Sequence, residues 1–110
     1  QFFLYWEDVD LCYRINKTKY KIIINGKANA KHLSSKSSHN DLKTFFIRNI
    51  NFKFGEYIYY NKINKFKKIK SLRQIFTNLI YFLINLVSFK FIKSFQNIAY
   101  ILGIFKFIFR

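Results

Sequence analysis

From residue 57 to the end, this chain carries ten Lys and Arg and not one Asp or Glu. Two apolar stretches are set into that basic half, "IFTNLIYFLINLVSF" (75–89) and "IAYILGIFKFIF" (98–109). Neither supplies the roughly 20 clean apolar residues that cross a bilayer. The first holds Asn78 and Asn85 and is bounded by Arg73 and Lys90; the second holds Lys106. Apolar helices flanked by Lys and aromatic residues fit the membrane interface, lying at headgroup level. Burial in a bundle or against a further domain is the alternative placement, and a true span is the third.

The formal net charge is +15, which points to nucleic acid or an anionic membrane surface as partner. The aromatics are mostly Phe in apolar runs, and only four Arg occur, so the interleaved pattern of a single-strand binder is missing. The expected partner is therefore the membrane surface and not nucleic acid. Part of the Lys excess has a blander source. Lys, Asn, Ile, Phe and Tyr crowd a chain with no Pro and three Gly, which is what AT-rich coding sequence produces.

Cys12 is the single cysteine, which excludes an internal disulfide and a zinc site built on paired cysteines. This suits a reducing compartment. A length of 110 residues allows one small domain or part of a larger one. No Met occurs and the first segment is already strongly apolar, so the expectation is a part.

Along the chain, "EDVDLCYRINK" reads as a short helix with acids in its first turn, where the helix dipole favours them. "YKIIING" is a β-branched run ending at Asn25-Gly26, a strand followed by a turn. "KANAKHL" reads as another short strand, and "SSKSSHND" (34–41) as a polar loop that marks a break in composition. A helix is expected from Leu42 to Asn61, followed by the basic knot "KFKKIK". The organisation expected is thus 1–41, 42–70 as a helical extension with a basic end, and 71–110 as an apolar, basic helical tail. No internal repeat, heptad run or Gly-rich phosphate loop is visible.

The chain has five acids, and three of them, Glu7, Asp8 and Asp10, fall within four positions beside the only Trp, Trp6. At about 100° per residue, Glu7, Asp10 and Arg14 share one side of a helix, and Asp10 can pair with Arg14. Val9, Cys12 and Tyr13 form the apolar side. Asp8 lies at its edge, beside Cys12 and Ile15, a position that suits general-base work. The alternative is that all three acids only cap and solvate a helix start. His32, 24 residues beyond Asp8 and followed by a small polar loop, is a candidate metal ligand or an ordinary surface histidine.

The stretch "FFLYWEDVDLCYRINKTKYKIIINGKANAKHLSSKSS" resembles the C-terminal half of the catalytic domain of family 2 glycosyltransferases, in particular the bacterial rhamnosyltransferase-like and galactofuranosyltransferase-like members. The shared pattern is an apolar run, Trp, a Glu-Asp pair, a further acid two positions on, and Arg. A strand and a His with small residues follow. "RNINFKFGEYIYYNK" (48–62) resembles the Arg-plus-aromatic helix after the loop in that group, and the resemblance fades beyond about residue 65. Two positions depart from the pattern: Ser34 and Ser35 stand where Gly is common after the His, and Lys19 stands where Gly precedes the strand Tyr.

The resemblance implies an α/β fold, the C-terminal part of a GT-A nucleotide-sugar-binding sandwich, followed by the mostly helical membrane-associating tail. It implies an inverting transferase that moves a sugar from a nucleotide-sugar donor to a glycan or lipid-linked glycan acceptor in surface polysaccharide synthesis. Asp8 matches the catalytic base, and Trp6, Glu7 and Asp10 match positions lining the acceptor. His32 matches a residue of the metal shell, the metal being Mn or Mg bound mostly by an upstream half that this chain lacks. The chain alone is then expected to be inactive, and the enzyme to be peripheral on the inner, cytoplasmic face of the cytoplasmic membrane. The rival is a non-catalytic basic segment binding a membrane surface or nucleic acid.

Overall fold

The computed structural model describes residues 5–31 and 41–110. Over these residues the regular structure is helical: α1 (Glu7–Ile15), α2 (Leu42–Lys62), α3 (Lys68–Val87) and α4 (Phe91–Ile108). This corrects the expected α/β sandwich, since no strand occurs among the described residues. "YKIIING" forms no ladder, and Ile23 and Ile24 stand 84% and 94% exposed. A strand is not a local element, because its N–H and C=O groups need a neighbouring strand. None is available here, so β propensity has nothing to act on. The turn at Asn25-Gly26 does form, closed by a 3.1 Å hydrogen bond from the Ala28 N–H to the Asn25 carbonyl. It needs only local partners.

The helices form where helical spacing predicts them. α2 runs one residue past the expected end and starts on Asp41, whose side chain accepts the Thr44 N–H at 2.7 Å. Asn64 closes it in a left-handed conformation (φ 55°), with the Lys65 N–H reaching back to the Tyr60 carbonyl at 2.8 Å. α3 ends in the same way at Phe89 (φ 55°), with the Lys90 N–H bonded to the Asn85 carbonyl at 2.8 Å. Asn adopts this conformation readily; for Phe it costs about 1–2 kcal/mol.

α4 lies between α2 and α3 and carries most of the packing. Its direction relative to each follows from the contacts. Asn49 meets Gln96, Phe52 meets Tyr100 and Tyr57 meets Phe107, so α2 and α4 run parallel. Phe66 meets Phe107 while Phe82 meets Ser94, so α3 runs antiparallel to α4.

The interior of this bundle is built from small and polar residues. Ser71, Ser94, Ala99 and Gly103 are buried, together with Asn51, Tyr57 and Ile104. Hydrogen bonds cross between helices: Gln96 Nε2 donates to Asn49 Oδ1 at 3.0 Å, Tyr57 Oη to Gln74 Oε1 at 2.7 Å, and Ser94 Oγ to the Phe82 carbonyl at 3.2 Å. Lys106 folds back onto α2, 3.0 Å from Asn51 Oδ1 and over the Phe54 ring. Burial pushes the Tyr57 phenol up, which keeps it a neutral donor to Gln74.

Gly103 sets how closely α4 approaches α2. A Cβ there would stand 2.6 Å from the Ile50 carbonyl oxygen and 2.8 Å from the Lys53 Cβ. The first obstacle is helix backbone, which cannot step aside. Gly103→Ala gains up to about 1 kcal/mol of helix propensity, but the overpacking costs about 1–3 kcal/mol and prevails. The variant is expected to unfold at a lower midpoint in a thermal scan followed by circular dichroism, and an unchanged or raised midpoint would refute this contact.

Candidate functional site

Three side chains attach α1 to α2: Trp6 and Asp10, one on each side of the Glu7-Asp8 pair, and Tyr13, whose ring meets Tyr59 edge-on with centroids 6.0 Å apart. The first is Trp6. Its indole Nε1 donates to the Phe52 carbonyl at 3.0 Å, and its ring stacks on Tyr59 with centroids 5.5 Å apart. Gly55 makes room for that ring, since a Cβ there would meet Trp6 Cδ1 at 3.0 Å. Tyr5 and Trp6 are both left-handed (φ 61° and 67°), and this backbone reversal brings the chain into α1.

The second attachment is Asp10, the buried acid of the cluster at 5% exposure. Lys62 Nζ donates to its Oδ1 at 2.5 Å and Arg14 Nε to its Oδ2 at 3.1 Å. The Lys62 hydrogen bond is the largest influence on this carboxyl and holds it below its ordinary value. Burial pulls the other way, and the charges of Lys62 and Arg14 add to the lowering. The Asp10–Arg14 pair is the one that helical spacing predicts. Lys62, 52 residues away, is a partner no local pattern could supply.

Glu7 and Asp8 are exposed between these two attachments. Neither makes a side-chain hydrogen bond or ion pair among the described residues. The other acids are engaged: Asp10 as above, Glu56 with Lys53 at 2.6 Å, and Asp41 in capping α2. Of the expected apolar side of α1, Val9 and Cys12 are exposed, while Tyr13 is half-buried against Tyr59 and, with Asp10, is turned toward α2. Helix α1 thus docks through Asp10 and Tyr13 and leaves Glu7, Asp8, Val9 and Cys12 exposed.

His32 lies outside the described residues. Among the described ones, no three His, Cys, Asp or Glu side chains come together. The aromatic clamp on Trp6 was the part of this site that sequence reasoning missed. Phe52 and Tyr59 are seven apart on α2 with Gly55 between them, a spacing that puts a ring, a gap and a ring on one helix face. No protein-family profile, curated protein or solved structure matches the chain. The resemblance to family 2 glycosyltransferases therefore stands on the quoted residues.

The Asp10 clamp makes a prediction about pH. A carboxyl whose folded-state pKa is lowered adds stability above its unfolded value of about 3.9. That contribution is lost as pH falls through the lower, folded value. Trp6 is the only Trp and sits in the clamp. Its fluorescence is expected to stay constant from pH 7 to about pH 4 and to change below that. In Asp10→Asn it should already be altered at pH 7 and show no further acid transition. The same transition in both proteins would remove Asp10 as its cause.

Proposed function

We propose that this chain carries the acceptor-side end of an inverting glycosyltransferase, with Asp8 as general base. The observation that carries this reading is the division of labour among the carboxylates. Asp10 fastens α1 to α2, and Trp6 fastens it from the other end. Glu7 and Asp8 between them are left exposed and uncommitted on a helix fastened on both sides of them. Simple helix capping does not call for such an arrangement. The first turn of α1 has no side-chain cap hydrogen bond at its N-cap position, which is Trp6.

The chemistry follows from what a carboxylate can do. Asp8 takes the proton from an acceptor hydroxyl as that oxygen attacks the anomeric carbon of a nucleotide sugar, and the nucleoside diphosphate leaves from the opposite face. A single base with no covalent intermediate inverts the anomeric configuration. Glu7, one residue away, is placed to hold a neighbouring hydroxyl. In this reading the donor, its divalent metal and most of its pocket belong to sequence outside these 110 residues, and the acceptor is a saccharide or lipid-linked saccharide. The resemblance around "WEDVDLCYR" supports the assignment of roles.

The test compares two neighbouring substitutions in the full-length protein. Donor turnover is followed as nucleoside diphosphate released from a panel of nucleotide sugars. Asp8→Asn is expected to lower turnover by about 10²–10⁴-fold while leaving the thermal midpoint unchanged. Asp10→Asn is expected to lower the midpoint and to affect turnover less. Full activity in Asp8→Asn would overturn the proposal and leave the acidic cluster a purely structural feature of a basic segment.

A further inference from the structure

Helices α3 and α4 have their polarity reversed relative to a bundle made for water. The side of α3 turned to its neighbours carries Ser71, Gln74, Asn78 and Asn85 together with Ile75 and Phe82, with Ser71 buried. The side turned outward carries Leu72, Phe76, Leu79, Ile80, Leu83 and Val87, all exposed. Across the bundle, the fully buried apolar residues among those described are Tyr57, Ala99 and Ile104, far fewer than the large apolar residues left outside. In water such a distribution forfeits most of the hydrophobic stabilisation. In lipid it is the expected one. Apolar side chains face the hydrocarbon, polar ones turn inward and bond across helices, and small residues let the helices approach.

Charge identifies the kind of surface. Because α3 and α4 are antiparallel, the start of α3 and the end of α4 lie at one end, as the Phe66–Phe107 contact shows. Lys65, Lys67, Lys68, Lys70 and Arg73 gather there, and Arg110 joins them from α4. The first turn of α3 has no acid, and its N-cap, Lys67, provides no side-chain cap. Cations at the positive end of a helix dipole repel it in water and are compensated by an anionic surface. No acidic residue after Glu56 opposes this field.

We infer that the outward face of the α3–α4 hairpin docks into an anionic lipid bilayer, with the hairpin lying in the headgroup–acyl boundary and the lysine-rich end among the headgroups. α4 is the one helix among the described residues long and apolar enough to cross a membrane by length and composition. Its cations argue for lying along the surface. The stretch between Lys93 and Lys106, residues 94–105, is about 18 Å long, against a hydrocarbon thickness of about 30 Å. The exposed turn with Val87, Phe89 and Phe91 then enters the acyl region as a wedge, and Lys90 and Lys93 beside it reach back to phosphate.

This inference goes beyond the transferase reading and fails separately from it: an active enzyme that ignores vesicles would refute it alone. The test is co-flotation of the full chain with vesicles of phosphatidylcholine, with and without phosphatidylglycerol. Binding is expected to the mixed vesicles and to weaken with salt. Leu79→Glu with Leu83→Glu is expected to lower partition at least tenfold while the far-ultraviolet circular dichroism and Trp6 fluorescence stay unchanged, since both leucines are already exposed. Replacing Lys67, Lys68 and Arg73 by Gln should cost about fivefold per charge on anionic vesicles and nothing on neutral ones. Partition unmoved by the double substitution would overturn the inference. So would a wild-type chain that self-associates through this face, becomes monomeric in the double variant and floats with neither vesicle.

Discussion

The distance between α2 and α4 governs most of what this chain looks like. It is set at Gly103, where the α4 backbone comes close enough to the Ile50 carbonyl that a methyl group would not fit. At that spacing the interior goes mostly to small and polar residues, Asn51, Ser94, Ala99 and Gly103, with Tyr57 and Ile104 the large side chains buried beside them. The amides are then near enough to bond across, as Asn49 does with Gln96. Leu, Ile and Phe mostly occupy the outside. Close backbone contact, a polar interior and an apolar exterior are therefore one arrangement, and moving the helices apart would undo all three.

The acidic cluster depends on the same frame at one remove. α1 is a nine-residue helix, too short to persist on its own. It is held because α2 presents Phe52, Tyr59 and Lys62 at positions that receive Trp6 and Asp10. The direction of each carboxylate follows from that docking. Asp10 is turned inward to meet Lys62, and the helical twist of about 100° per residue carries Asp8 away from it. The placement of the candidate base is thus decided by residues more than forty positions downstream.

What the sequence made legible follows a physical line. Helices and the Asn25-Gly26 turn draw on nearby partners, and helical spacing places α1 and α2 to within a residue or two. The Asp10–Arg14 pair, four apart, was readable for the same reason. The expected strands were not, because "YKIIING" states a preference that only a neighbouring strand can satisfy. The α/β sandwich inferred by resemblance is replaced, among the described residues, by four helices. The clamp on α1 was half legible: the aromatic spacing on α2 is visible in the sequence, but which rings receive Trp6 depends on how the chain returns after residue 41. In the sequence Asn78 and Asn85 marked only a break in an apolar run too short for a span. Which way those amides point requires the neighbouring helix.

The central position of α4 bears on how the chain is made. α2 and α3 precede it in sequence, yet each packs chiefly against it. As the chain leaves the ribosome, at about 5–20 residues per second, both earlier helices emerge before their common partner. Asn49 and Asn51, whose partners Gln96 and Lys106 lie on α4, keep water as their hydrogen-bond partner for those seconds, and the outer face of α3 is already exposed. Closure of the bundle waits for Gly103 to arrive. A nascent chain held at a lipid surface during that delay would have the apolar side of α3 covered before its polar side is, and the two sides would be satisfied in the reverse of the order in which a water-soluble bundle collapses.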